Sequence, residues 1–189
     1  MRLSGSGGQG IILAAVILAE AFGVHDNKYV CQTQSYGPEA RGGKSKAEVV
    51  VSDHPIDYPK AIKLDFLLAM NQESCDAYFF DFKPNGILLV DSTFVTQIPT
   101  SRSVAIPFTR IARDKFKKEI VANMIALGAI GQLCSLISLP KLEKAVLARA
   151  PGDTKELNRK ALKEGIRAAK KIDLASLPRS INPEEEEEI

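Results

Sequence analysis

The chain has 189 residues, of which 45% are hydrophobic and 25% are charged, the balance of an ordinary globular protein. Its formal net charge of +2 is mild and few aromatic residues accompany the basic ones, which argues against a nucleic-acid-binding protein. No apolar run reaches the length of a membrane span, which excludes a membrane-spanning helix.

The chain opens on a short apolar strand, Met1–Ser4, followed by a glycine-rich loop and a helical run, Ile11–Phe22. Gly5, Gly7 and Gly10 fit the G-x-G-x-x-G spacing of dinucleotide-binding proteins. Glycines allow a left-handed backbone and a close approach by another group, and the free N–H groups of the following helix can face an anion. The sequence therefore predicts a Rossmann-like start.

The second predicted strand, Lys28–Gln34, ends in Gln-Thr-Gln, so the acidic residue that would hold a ribose is missing. A helix N-terminus contributes about 0.3–1 kcal/mol to anion binding, whereas micromolar affinity needs about 8 kcal/mol. Three interpretations stay open for the glycine loop: an NAD or FAD site, tight strand-to-helix packing, or contact with a phosphate-bearing ligand or a partner's backbone.

A second permissive loop, Ser35–Gly43, contains Arg41 next to Gly42 and Gly43. The planar guanidinium of an arginine pairs bidentately with carboxylates and phosphates. Pairing of Arg41 with Glu39 is the structural alternative. The segment 45–51 follows too closely for a crossover helix, so we expect it to pair antiparallel with the preceding strand. Both loops then lie at the same edge of a sheet.

Short apolar segments continue through the first half of the chain and alternate with helical or turn segments. Such alternation predicts an α/β protein with a mixed, mainly parallel sheet flanked by helices, and with a helical C-terminal part. The remaining strands are predicted at Ala47–Ser52, Phe66–Met70, Ile87–Asp91 and Val104–Pro107, with a turn at Lys83–Gly86.

The segment Glu119–Ile137 is predicted to be a helix that is apolar nearly all round, interrupted by Asn123, Gly128 and Gly131. Such a helix is either deeply buried or lies against another chain, for example in a homodimer. Asn123 is its polar exception. Its side chain either satisfies a core backbone group or acts at an active-site interface.

Two more helices are predicted. One begins near Pro140 and runs to Ala148, and the other has a capping-box-like start at Asp153 and Glu156 and runs to about Ile172. The outward basic face of the second is either solvated or receives an acidic partner. The glutamate run near the end repels itself. We therefore predict a single domain over 1–175 and a disordered acidic tail over 176–189.

We predict neither a catalytic residue nor a metal site in this chain. His25 and His54 are its only histidines, and both are expected to be solvated or turn residues in loops. Without a C-x-x-C pair, thiolates of this chain alone cannot assemble an iron–sulfur or zinc site. Reduced thiols and the lack of a leader-like segment predict a cytoplasmic protein. The cysteines are Cys31, Cys75 and Cys134.

The two loops and several later stretches resemble one family, the gamma subunits of 2-oxoacid:ferredoxin (acceptor) oxidoreductases, most closely the 2-oxoglutarate type. The matching stretches run in family order over about two thirds of the chain. They are Gly5–Gly10 with Ile11–Ala14, Gln32–Gly43, Val51–Asp53 with Ile56–Pro59, and Ala122–Met124 with Leu127–Gly128.

The resemblance implies an enzyme of central carbon metabolism that decarboxylates a 2-oxoacid on thiamine diphosphate, passes electrons through iron–sulfur clusters to ferredoxin and releases an acyl-CoA. It implies alpha, beta and ferredoxin-like delta subunits as partners, with this chain at the coenzyme A side, binding no cofactor alone and inactive alone. The implied cofactor-binding positions are Gly5, Gly7, Gly8, Gln9, Gly10, Arg41, Gly42, Gly43 and Asn123. The alternatives are a free-standing Rossmann-like nucleotide-binding protein and a small self-associating scaffold.

Overall fold

One six-stranded sheet carries helices on both of its faces. The structure is a computed structural model and describes residues 1–36 and 44–178. The strands are β1 (Arg2–Ser6), β2 (Tyr29–Tyr36), β3 (Lys44–Ser52), β4 (Leu64–Ala69), β5 (Phe82–Asp91) and β6 (Ser103–Ile106). The α-helices are α1 (Ile11–Gly23), α2 (Gln72–Tyr78), α3 (Phe108–Ile111), α4 (Ala122–Leu133), α5 (Leu139–Arg149) and α6 (Lys155–Ala169).

The sheet is mixed and mainly parallel, as predicted. Its strand order is β2-β3-β1-β4-β5-β6. Strands β1, β4, β5 and β6 run parallel, while β3 is antiparallel to both of its neighbours. The predicted antiparallel pairing of β3 with β2 is confirmed. It follows from the short connection, because parallel strands need a longer crossover.

The two faces of the sheet bury separate apolar clusters. On one face, Phe66 and Leu68 of β4 pack in a large core with helices α1 and α4. On the other, Leu67 of the same strand packs in a smaller core with Cys75 of α2. Side chains alternate across a strand, so a nearly continuous apolar run is what a strand covered on both faces requires.

Helix α4 is buried almost all round, because it lies over the sheet and receives α6 on its other side. The apolar helix is therefore buried within its own chain, which is the first of the two predicted alternatives, and a homodimer through residues 119–137 stays a prediction. The helix is shorter than predicted. A 3₁₀ turn covers Glu119–Val121, and Cys134 turns to an extended conformation that ends the helix.

The remaining elements depart from the sequence-based expectations in local details. Helix α5 has Pro140 in its first turn, as predicted. Helix α6 instead follows a 3₁₀ turn, and its N-cap residue, Thr154, makes no capping side-chain hydrogen bond, so the capping box was wrong. The predicted turn at Lys83–Gly86 lies inside β5, whose start is irregular. Helices α2 and α3 were not predicted.

The C-terminal predictions are only partly covered by the described residues. Within residues 1–36 and 44–178, every helix is too short or too polar to cross a bilayer. Residues 176–178 of the predicted tail are described: Arg102 donates to the carbonyl oxygens of Leu177 and Pro178 at 3.0 and 3.2 Å. Residues 179–189 lie outside the described range, so the disordered tail stays a prediction.

Candidate functional site

The glycine loop joins β1 to α1 through two left-handed residues, Gly8 with φ +91° and Gly10 with φ +71°. The N–H of Gln9 donates to the Ser6 carbonyl at 3.2 Å, which closes the turn. Helix α1 begins without a capping side chain and without an acidic residue in its first turn. A Cβ atom on Gly8 would meet nothing within 4 Å, so the crest of the loop is open to an approaching group.

Gln9 ties this loop to the neighbouring strand. Its side-chain Oε1 accepts the Ser6 N–H at 2.7 Å, and its Nε2 donates to the Met70 carbonyl at 3.3 Å. Gly5 leaves room for this arrangement, because a Cβ atom there would lie 2.4 Å from the Gln9 oxygen. Both polar atoms of Gln9 are thus used within the protein, and the residue holds the loop in place.

Asn123 reaches the same loop from α4, 113 residues further along the chain. Its Nδ2 donates to the Gly10 carbonyl at 3.2 Å, and its Oδ1 accepts the Met124 N–H at 2.8 Å. The side chain is only 3% exposed. Asn123 therefore satisfies a backbone group and, through that contact, positions the start of α1. A direct contact with a cofactor stays a prediction.

The glycine loop lies at the point in the sheet where the helices that follow neighbouring strands switch from one face to the other. After β1 the chain forms α1 on one face, and after the neighbouring β4 it forms α2 on the other. Ligands of open α/β sheets bind in the crevice at such a point, at the carboxyl ends of the strands. Asn71 links both sides of the crevice: it donates to the Ser6 hydroxyl at 2.5 Å and accepts the Ser74 N–H at 2.9 Å as the N-cap of α2.

A cavity of about 320 Å³ opens at this crevice. Gly8 and Gln9 line it on one side, and Phe94, Thr109 and Ile120 line it on the other. Its walls are apolar or neutral apart from one glutamate. A cavity of this kind suits an apolar or neutral group better than a phosphate, which would need nearby cations.

Asp91 is a site residue that sequence reasoning missed. The carboxylate is wholly buried at the end of β5. It accepts the N–H and the hydroxyl of Thr109 at 3.0 and 2.6 Å and the N–H of Thr93 at 3.0 Å. Asp91 thereby fixes the start of α3 beside the cavity. An aspartate at the carboxyl end of a predicted parallel strand was the signal that could have found it.

Helix α3 continues into a strained basic turn, Arg110–Lys118. It contains a π-helical turn over Ala112–Phe116, and Lys117 has a left-handed backbone with φ 56°. Such features occur often at functional sites. Arg113 pairs with Glu119 at 2.6 Å, which raises the pKa of Arg113 and lowers that of Glu119.

The second predicted loop lies partly outside the described residues. Arg41, Gly42 and Gly43 are among these, so their predicted role stays untested. The ends of the loop are described: β2 ends at Tyr36, and β3 begins opposite Ser6, where Ser6 pairs with Lys44. Both loops therefore leave the sheet at the same edge, as predicted.

The described residues of the site offer backbone hydrogen-bond donors and a cavity, and few side chains among them could transfer a proton or hold a metal ion. Burial, together with the nearby carboxylate of Asp76, raises the pKa of the Cys75 thiol to about 11. Such a thiol is a poor nucleophile at neutral pH. Among the described residues, no three His, Cys, Asp or Glu side chains lie close enough to hold a metal ion.

Comparisons with known proteins agree with this geometry. The family model of pyruvate ferredoxin/flavodoxin oxidoreductase matches residues 1–168. The 2-oxoglutarate synthase subunit KorC of Methanocaldococcus jannaschii is 49% identical over 176 residues, which cover 91% of this chain and 94% of that protein.

Two solved structures have the same fold. The gamma subunit of a keto/oxoacid ferredoxin oxidoreductase from Geobacter sulfurreducens superposes with a TM-score of 0.79 at 48% identity, covering 89% of this chain and 96% of that one. The 2-oxoglutarate:ferredoxin oxidoreductase of Magnetococcus marinus, solved with 2-oxoglutarate, coenzyme A and succinyl-CoA bound, gives a TM-score of 0.81 at 23% identity. The match covers 96% of this chain and 33% of that one, and it shows a shared fold.

Proposed function

The chain belongs to the pyruvate ferredoxin/flavodoxin oxidoreductase family, and from this membership we propose that it is the gamma subunit of a 2-oxoacid:ferredoxin oxidoreductase that converts 2-oxoglutarate to succinyl-CoA. The observation that carries the proposal is the 49% identity with a 2-oxoglutarate synthase subunit over nearly the full length of both chains. A free-standing Rossmann nucleotide-binding protein is not supported, since the relatives are subunits of oxoacid oxidoreductases.

In this proposal the chain works in the cytoplasm within a complex. Thiamine diphosphate on the alpha and beta chains supplies the decarboxylation chemistry, and clusters of a ferredoxin-like delta chain pass the electrons to ferredoxin. The gamma chain completes the coenzyme A side of the site. The crevice beside the glycine loop supports this role, because uncapped backbone donors of α1 and a cavity with mostly apolar or neutral walls lie there at one sheet edge.

Reconstitution tests this proposal. We expect the complete set of subunits to reduce ferredoxin in the presence of 2-oxoglutarate and coenzyme A, and the isolated chain to show no turnover. Omission of this chain should abolish or strongly reduce CoA-dependent product formation, measured as succinyl-CoA. Turnover by the chain alone, or full activity of the complex without it, would refute the proposal.

Arg41→Ala should leave folding intact and weaken either assembly or the use of coenzyme A. A charge-assisted hydrogen bond contributes about 1.5–3 kcal/mol, so we expect the CoA KM or the assembly Kd to rise at least about tenfold. Arg167→Ala is the matched control, because Arg167 is exposed on α6 and pairs only with Glu164 among the described residues. Equal kinetics for both variants would remove Arg41 from the site.

A further inference from the structure

The basic turn carries more positive charge than its surroundings neutralise. Five of its nine residues are Lys or Arg, and one is an aspartate. Two of the five have acidic partners: Arg113 pairs with Glu119, and Lys115 pairs with Glu164. The other three are exposed and have no acidic partner among the described residues: Arg110, Lys117 and Lys118.

These cations are presented on an anchored segment. The buried carboxylate of Asp91 holds Thr109 at the start of α3. At the other end, the N–H of Lys117 donates to the Arg113 carbonyl at 3.2 Å and closes the left-handed turn. A positively charged group that is fixed before binding loses less conformational entropy when it pairs.

Exposed apolar side chains adjoin the same turn. Leu13, Phe94 and Ile120 are 44%, 39% and 58% exposed. Ile120 shares a cavity of about 230 Å³ with Leu13 and Lys118, and shares the crevice cavity with Phe94 and Gly8. An apolar patch beside charged groups has the composition of a protein–protein interface, with an apolar centre and a polar rim.

We propose that the basic turn and these three apolar residues form the surface that docks an acidic, apolar-centred face of the catalytic subunits of the same enzyme. This inference rests on the proposed function. The partner is assigned by charge complementarity: carboxylates opposite Arg110, Lys117 and Lys118, with apolar groups opposite the patch. A small anion would leave the exposed apolar side chains uncovered.

Helix α6 offers an internal comparison. It is also basic, yet Arg159 and Arg167 pair with glutamates of the described chain, and none of the exposed large apolar residues lies on it. That face behaves as a solvated surface. Lys163 on α6 and Lys170 directly after its end are exposed and therefore provide a matched site for the same change of charge.

The test measures the association rate of the full chain with the purified remaining subunits at about 50 to about 500 mM NaCl. We expect Lys117→Glu/Lys118→Glu to lower the rate at low salt about tenfold or more and to flatten its salt dependence, since electrostatic steering acts on encounter. Lys163→Glu/Lys170→Glu should keep the wild-type rate. Lys117→Gly/Lys118→Gln, which suits the left-handed turn, should fold normally and show a smaller loss.

Three results would overturn the inference. One is an unchanged rate and salt dependence in both variants of the basic turn. Another is a higher KM for coenzyme A with unaltered association, which would assign the cations to an anionic ligand. The third is an equal loss in the α6 control. In all three the wild-type chain still assembles and the proposed function stands, whereas failure of the wild-type chain to bind would refute both.

Discussion

Gly165→Ala is expected to lower the free energy of unfolding by about 3 kcal/mol, the upper part of the range for overpacking a protein core. A Cβ atom at this position would lie 1.8 Å from the Ile125 carbonyl oxygen and 3.0 Å from the Ala129 nitrogen. Both are backbone atoms of α4. Because backbone cannot rotate away as a side chain can, the two helices would have to separate.

Gly128 shows the same contact from the opposite helix. A Cβ atom there would lie 2.1 Å from the Leu162 carbonyl oxygen of α6. Helices α4 and α6 thus approach backbone to backbone across a pair of glycines, and this approach lets α4 be covered on both sides. We expect Gly128→Ala to destabilise the protein by a similar mechanism.

Urea unfolding followed by circular dichroism measures the loss of unfolding free energy. In thermal unfolding, the Tm of Gly165→Ala should fall by about 6–12 °C. Gly152→Ala is the control, because a Cβ atom at this exposed turn residue would meet nothing within 4 Å. Its stability should stay within about 0.5 kcal/mol of the wild type. A Gly165→Ala protein as stable as the Gly152→Ala protein would contradict the close helix contact.

Sequence patterns predicted the strands that are defined by local apolar runs and by short connections. The strand before the glycine loop and the antiparallel partner of β2 are confirmed, because apolar runs and a short connection leave few other arrangements. The edge shared by the two loops follows from the same reasoning. The family was found from motif order, since several short motifs in sequence are more specific than any one of them.

Features that depend on distant contacts could not be predicted in this way. Gly128 was interpreted as an interruption of an apolar helix, and Gly165 was not singled out. Both glycines are needed only because α4 and α6 approach each other backbone to backbone where they cross. The role of Asn71 in capping α2 and the left-handed backbone of Lys117 were likewise missed. Asn123 was singled out as the polar residue of an apolar helix and by resemblance, and one of its two predicted roles, satisfying a core backbone group, is confirmed. Which group it satisfies could not be predicted, because its contact with Gly10 spans 113 residues and is set by packing.

Gly10→Ala should both destabilise the chain and impair its assembly with the other subunits. The left-handed backbone of Gly10 costs a residue with a Cβ atom about 1–2 kcal/mol, and the new atom would lie 2.2 Å from Asn123 Nδ2. Asn123 is buried and cannot easily withdraw. The total loss should be about 3 kcal/mol, since the steric cost of overpacking adds about 1–3 kcal/mol.

A double-mutant cycle separates the two causes. Asn123→Ala alone removes two hydrogen bonds, one to the Gly10 carbonyl and one from the Met124 N–H, and should cost about 1–3 kcal/mol. In Gly10→Ala/Asn123→Ala the clash disappears, so only the backbone cost at residue 10 and the lost hydrogen bonds remain. The double variant should therefore be more stable than the sum of the single losses predicts, by about 1–2 kcal/mol. Unfolding free energies measure this coupling. Strict additivity would mean that Asn123 does not press against the loop, and its position under the start of α1 could no longer explain why the glycine loop keeps its shape.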